Sequence, residues 1–79
     1  MGRVKMKKAV FTFPSTVQAM KMEQVCHSMG VTGRLIPVPG EISAGCGLAW
    51  VVPVEEKESI KKVVEEGSIE VEGVYEMML

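Results

Sequence analysis

Apolar and polar positions alternate first over residues 8–13, where Ala9, Phe11 and Phe13 take one face and Val10 and Thr12 the other. That period of two predicts a strand. Pro14 stops it. Ser15 is a good helix N-cap, and Gln18 three residues later completes a capping box. The period then changes to that of a helix. Ala19, Met22, Cys26 and Met29 form one apolar stripe, with Lys21, Glu23 and His27 off it. Gly30 gives the stop.

A second strand is predicted over residues 32–38, ended by Pro39-Gly40, and a loop follows through Gly45. Residues 47–52 read as a third strand with Leu48, Trp50 and Val52 on one face, and Pro53 breaks it. Glu55 and Glu56 suit the start of a second helix through the helix dipole. Its inner stripe is Ile60, Val63 and Val64, and Gly67 ends it. The last strand is expected over residues 69–78, interrupted by Gly73, a residue that suits a bulge.

The order strand, helix, strand, strand, helix, strand is the ferredoxin-like α+β pattern. It predicts a four-stranded antiparallel sheet with two helices on one face. Right-handed crossovers put the first and third strands side by side. The alternative is a strand-exchanged dimer of the same elements. The other face, carrying Val10 and Thr12, is expected to be open and partly apolar, which suggests a homodimer through that face or an edge strand.

The chain has 79 residues, so one domain is expected over residues 8–79, after a basic tail over residues 1–7. A domain this small buries only about 60% of its unfolded surface. A hydrophobic content of 47% excludes a disordered chain. The formal net charge of -1, with basic residues clustered only at Arg3, Lys5, Lys7 and Lys8, argues against nucleic acid. No apolar run reaches the roughly 18 residues of a membrane span. No secretion signal is expected, the myristoylation motif fails at Met6, and two cysteines make no disulfide scaffold. A cytoplasmic protein with reduced thiols is expected.

Chemistry concentrates on Cys46, between Gly45 and Gly47. In the predicted topology it opens the third strand at the same end of the sheet as Pro14, Ser15 and Thr16. A helix N-terminus offers unpaired N–H groups and a partial positive charge, which favour a thiolate. Such a site lowers a cysteine pKa from about 8.5 to near 7. The two glycines leave the sulfur uncrowded, and Glu41 in the same loop opposes the effect if it points inward. The competing reading of Cys46 is a small apolar residue at a strand start.

The remaining candidates read as structure. Cys26 lies on the helix stripe and fits the core, and His27 is a surface residue about 100° around the helix from it. No metal is expected, since two distant cysteines and one histidine do not make a zinc site. No phosphate loop is present, and the chain contains no Asp, so a Ser-His-Asp triad is excluded. The seven methionines are dispersed, as packing residues are. No cofactor is expected.

Several segments together resemble a known family. They are Phe13-Pro14-Ser15-Thr16, the run from Arg34 to Pro39, Ile42-Ser43, Cys46-Gly47-Leu48-Ala49, and the run from Ile69 to Glu76. In order and spacing, from about Lys8 to Tyr75, they look like the Putative Se/S carrier protein-like family. The resemblance implies a small bacterial or archaeal protein that carries sulfur or selenium on a cysteine, which maps to Cys46. Where that family's pattern often has Ser or Cys before the cysteine, this chain has Gly45. Two functions follow from the sequence. One is a chalcogen carrier using Cys46, supported by Ser15, Thr16, Gly45 and Gly47, with donor and acceptor proteins of sulfur or selenium metabolism as partners. The other is a non-enzymatic binding or regulatory module in which Cys46 is structural. An enzyme acting alone ranks below both, because no general base or metal accompanies the thiol.

Overall fold

The computed structural model describes residues 6–40, 42 and 47–79. Its elements follow the expected order: β1 (Lys7–Thr12), α1 (Thr16–Met29), β2 (Arg34–Pro37), β3 (Leu48–Pro53), a 3-10 turn (Val54–Glu56), α2 (Lys57–Glu66) and β4 (Gly73–Met78). The four strands form one antiparallel sheet in the order β2-β3-β1-β4. The first and third strands are adjacent, with Phe11 opposite Trp50 and Thr12 opposite Ala49.

Both helices cover the face that carries Ala9 and Phe11 of β1, Phe13 just after it, and Trp50 and Val52 of β3. Ala19, Met22 and Cys26 of α1 and Ile60 and Val63 of α2 complete this core. Each fully buried Phe, Met or Ile side chain contributes about 1.5–3 kcal/mol of transfer free energy.

The stripe of α1 departs from expectation at its end. Met29 has the right spacing but is 52% exposed. The helix stops in a Schellman motif: Gly30 is left-handed, its N–H donates to His27, and Val31 N–H donates to the Cys26 carbonyl at 2.9 Å. This turn brings Val31 against the core, where it takes the place expected for Met29. The capping box does not form either. The Ser15 side chain makes no cap hydrogen bond. Gln18 Oε1 instead accepts from Glu70 N–H at 3.0 Å, tying α1 to the segment before β4.

That segment is not strand. The last strand begins at Gly73, four residues later than the alternation suggested. Residues after α2 spend their backbone donors on the helix end: Ser68 N–H reaches Glu65 and Ile69 N–H reaches Val64 at 3.0 Å. The left-handed residue in this second Schellman turn is Ser68, not Gly67. Ile69 is buried in the core without belonging to the sheet. Glu72 N–H also donates to the Thr12 carbonyl, so Thr12 meets both Glu72 and Gly73, as at a bulge.

The sheet face expected to be open is covered at its centre. Val10 and Thr12 are both fully buried. Val10 forms a second small core with Ala49 and Val51, packed by Ile36, Val38, Ile42 and Met77. The chain after β2 therefore folds back over the face opposite the helices. Thr12 satisfies its hydroxyl by donating to the Gly73 carbonyl at 3.3 Å.

Candidate functional site

The candidate site lies at the end of the sheet where β1 leads into α1. The register pairs Thr12 with Ala49 and with Gly73, and Pro37 with Leu48. That brings the end of β1, the start of α1 and the base of the 38–47 loop to one end of the molecule. Cys46 and Gly45 lie outside the described residues, as does Glu41. The other expected site residues are described. Ser15 and Thr16 are exposed at the start of α1, and Gly47 is exposed at the entry to β3 with a left-handed φ of 73°.

Two anchors hold the loop base. Val38 N–H donates to the Gly47 carbonyl at 3.0 Å, which closes the ends of the segment on each other. Ile42 N–H donates to the Pro39 carbonyl at 2.9 Å, and the Ile42 side chain packs on Val10, Ala49 and Val51. Sequence reasoning did not find Ile42 as an anchor. The signal was there: Ile36, Val38 and Ile42 are the apolar positions in a stretch otherwise rich in Pro, Gly and Ser.

The first turn of α1 contains no acidic side chain, and the Ser15 side chain leaves the cap position unbonded. The N–H groups of that turn have no intrahelical acceptor, as at any helix start. Such a terminus can receive an anion.

Cys26 is a different kind of thiol. It is fully buried on α1 among Met22, Phe13 and the strand residues of the core. Burial pushes its pKa above the ordinary thiol value, because the charged form loses its solvation. A thiol held protonated and out of solvent is a poor nucleophile. His27 is exposed, next to it in sequence, and its carbonyl serves the helix cap. Among the described residues, no group of three or more His, Cys, Asp or Glu side chains gathers to hold a metal. No helix among them is long and apolar enough to cross a membrane.

No curated protein and no solved structure matches the chain. One family does: the sequence pattern described as Putative Se/S carrier protein-like matches residues 8–76. The match begins in β1 and ends in β4, so it takes in every element of the fold and the whole 38–47 loop, and on that span the chain belongs to this family.

Proposed function

We propose that the protein carries a sulfur or selenium atom on Cys46 and passes it to a partner protein. The observation that carries this reading is the family match over residues 8–76, a span that includes Cys46. Its other cysteine, Cys26, is sealed in the core with a raised pKa, which leaves the carrier role to Cys46.

The transfer needs no net oxidation or reduction. The Cys46 thiolate attacks the terminal sulfur of a donor protein's persulfide. A new S–S bond forms on Cys46, the donor's S–S bond breaks, and the donor cysteine leaves as a thiolate. An acceptor nucleophile then attacks the terminal atom, and Cys46 leaves as a thiolate in turn. With a donor that presents selenium, Cys46 holds a selenosulfide by the same exchange. The α1 N-terminus, with Ser15 and Thr16, favours the thiolate state, and Gly45 and Gly47 leave room for the partner's reacting atom. The strand order β2-β3-β1-β4 is read as the ferredoxin-like arrangement. The cytoplasm, where thiols stay reduced, is the setting such chemistry needs.

Intact-mass measurement after incubation with a persulfide-loaded donor protein tests the proposal. The expected result is a mass increment of one sulfur that a reductant removes and that Cys46→Ser abolishes, while Cys26→Ser retains it. An increment that survives Cys46→Ser overturns the assignment.

A further inference from the structure

The two edges of the sheet are built differently. β2 is four residues long, carries Arg34 and Pro37 at its ends, and follows Gly33. Proline, charge and short length are the usual protections of an edge strand. β4 has six residues and no proline or lysine. Val74, Tyr75 and Met78 on it are 38%, 41% and 55% exposed. Among the described residues it pairs only with β1.

The ladder shows which groups β4 offers. Met6 and Leu79 exchange both backbone hydrogen bonds, at 3.1 and 3.0 Å. Antiparallel pairs alternate between bonded and non-bonded. Lys8 with Met77 and Val10 with Tyr75 are therefore the bonded pairs of the β1–β4 register. Val74, Glu76 and Met78 turn their N–H and C=O groups outward.

We propose that β4 pairs antiparallel with β4 of a second copy, about a two-fold axis through Glu76, joining two four-stranded sheets into one of eight strands. In this register all three outward residues meet: Glu76 faces Glu76, and each Val74 faces the other copy's Met78. Six backbone hydrogen bonds result. On the opposite face Tyr75 meets Met77 of the other copy, a sulfur–aromatic contact. A two-fold perpendicular to the sheet puts both helix pairs on the same side.

Two features fit a second copy in particular. Between α2 and β4 runs a groove with Phe11, Val64 and Val74 in its lining and Glu58, Lys61 and Lys62 beside them. Val74 faces Met78 of the other copy in this register, so a flexible, exposed thioether lies at the mouth of an apolar groove. The charges also agree. Like charges directly opposite each other destabilise a strand pair. Here each Glu76 is held by Lys57 Nζ at 2.7 Å and Lys7 Nζ at 3.2 Å, so the axis carries two carboxylates among four ammonium groups. The interface is small, so a dissociation constant on the order of 10 µM is expected.

The proposal does not depend on Cys46 chemistry, and its test is run in the Cys46→Ser protein with Cys26 left buried. Sedimentation equilibrium of that protein at about 100 µM, above the expected constant, should give dimer mass. Val74→Lys and Met78→Lys, both at exposed positions, should each weaken association at least tenfold with unchanged circular dichroism. Single cysteines fix the register. Across the axis the Cα atoms of position 76 would stand about 5.5 Å apart, within disulfide range, whereas those of position 74 would stand about 14 Å apart. Mild oxidation should therefore cross-link Glu76→Cys and leave Val74→Cys and Met78→Cys uncoupled. A monomer at the concentration stated, or cross-linking of Val74→Cys in preference to Glu76→Cys, overturns the proposal.

Discussion

The centre of the sheet is buried on both faces, but by different means. Under the helices lie large side chains: Phe11, Phe13, Met22, Trp50 and Ile60. On the opposite face the buried residues are small, Val10, Ala49 and Val51, and the cover comes from Val38 and Ile42 in the chain after β2. The first face holds the fold together. The second holds the base of the segment that contains Cys46. Neighbouring residues on β1 separate these roles. Phe11→Ala is expected to destabilise by about 3–5 kcal/mol, a large part of a small domain's total, while Val10→Ala costs about 1–3 kcal/mol. Urea unfolding of both variants checks the ranking, and equal costs would remove the distinction.

A close backbone approach on the helix side sharpens the contrast. Gly33 has a φ of 121°, and a Cβ there would stand 2.3 Å from Trp50 Nε1 and 2.7 Å from Val52. The indole packs directly beneath this glycine, and its N–H is buried without a hydrogen-bond partner among the described residues. Gly33→Ala must displace the indole and strain the backbone together, for an expected loss of about 2–4 kcal/mol. Trp50 is the chain's single tryptophan, so its fluorescence reports the displacement directly. An unchanged emission spectrum with unchanged stability would contradict the packing described.

Much of this was legible in the sequence because the periodicities are clean. Ala9, Phe11 and Phe13 alternate, and Ala19, Met22 and Cys26 follow helical spacing, and all six are fully or almost fully buried on the helix side. The misreadings share one cause. Hydrophobic spacing reports which residues prefer burial, but not where the backbone turns. Met29 lost its place to Val31 because a Schellman turn redirects the chain after Gly30. Ile69 looked like strand because it is apolar and buried, yet its N–H closes the end of α2. Alternation alone leaves the second face open, because its cover, Val38 and Ile42, comes from a loop whose fold-back has no period to detect. For the candidate site, the strand order brought Ser15, Thr16 and Gly47 to one end of the sheet through residues that alternation identifies.

Ile42 is where the second face and the proposed chemistry meet. Ile42→Ala removes a partly buried side chain, at an expected cost of about 1–2 kcal/mol. Its distinguishing effect should be on Cys46. Loosening an anchor lowers the free energy of local opening without unfolding the helix-covered core. Alkylation of Cys46 at neutral pH is expected to become faster in Ile42→Ala, while Cys26 stays protected. Equal acceleration at both thiols would mean that the two faces open as one unit, and the separation of roles would fall.

The smallest effect belongs to the helix side, at the Lys7–Glu76–Lys57 cluster. Hydrogen bonds from Lys57 first and then Lys7, followed by their charges, hold the Glu76 carboxyl below the ordinary value of 4.5. A carboxyl whose pKa is lowered on folding adds stability above its unfolded pKa and loses it as pH falls through the folded one. The contribution is therefore complete near neutral pH and declines below about pH 4.5. Glu76→Gln should lower stability slightly at neutral pH and make the acid side of the profile shallower. Lys57, at the shorter distance, should matter more than Lys7: Lys57→Ala should flatten the acid limb more than Lys7→Ala. The groups are solvent-accessible, so added salt should shrink all three differences. Monomeric protein at low concentration must be used, since the same lysines neutralise Glu76 at the proposed two-fold axis. A Glu76→Gln profile that overlays the parent between about pH 3 and pH 7 would show that the cluster contributes nothing to folding. Its role would then be confined to the edge of β4, where neutralising a carboxylate matters only once a second strand lies beside it.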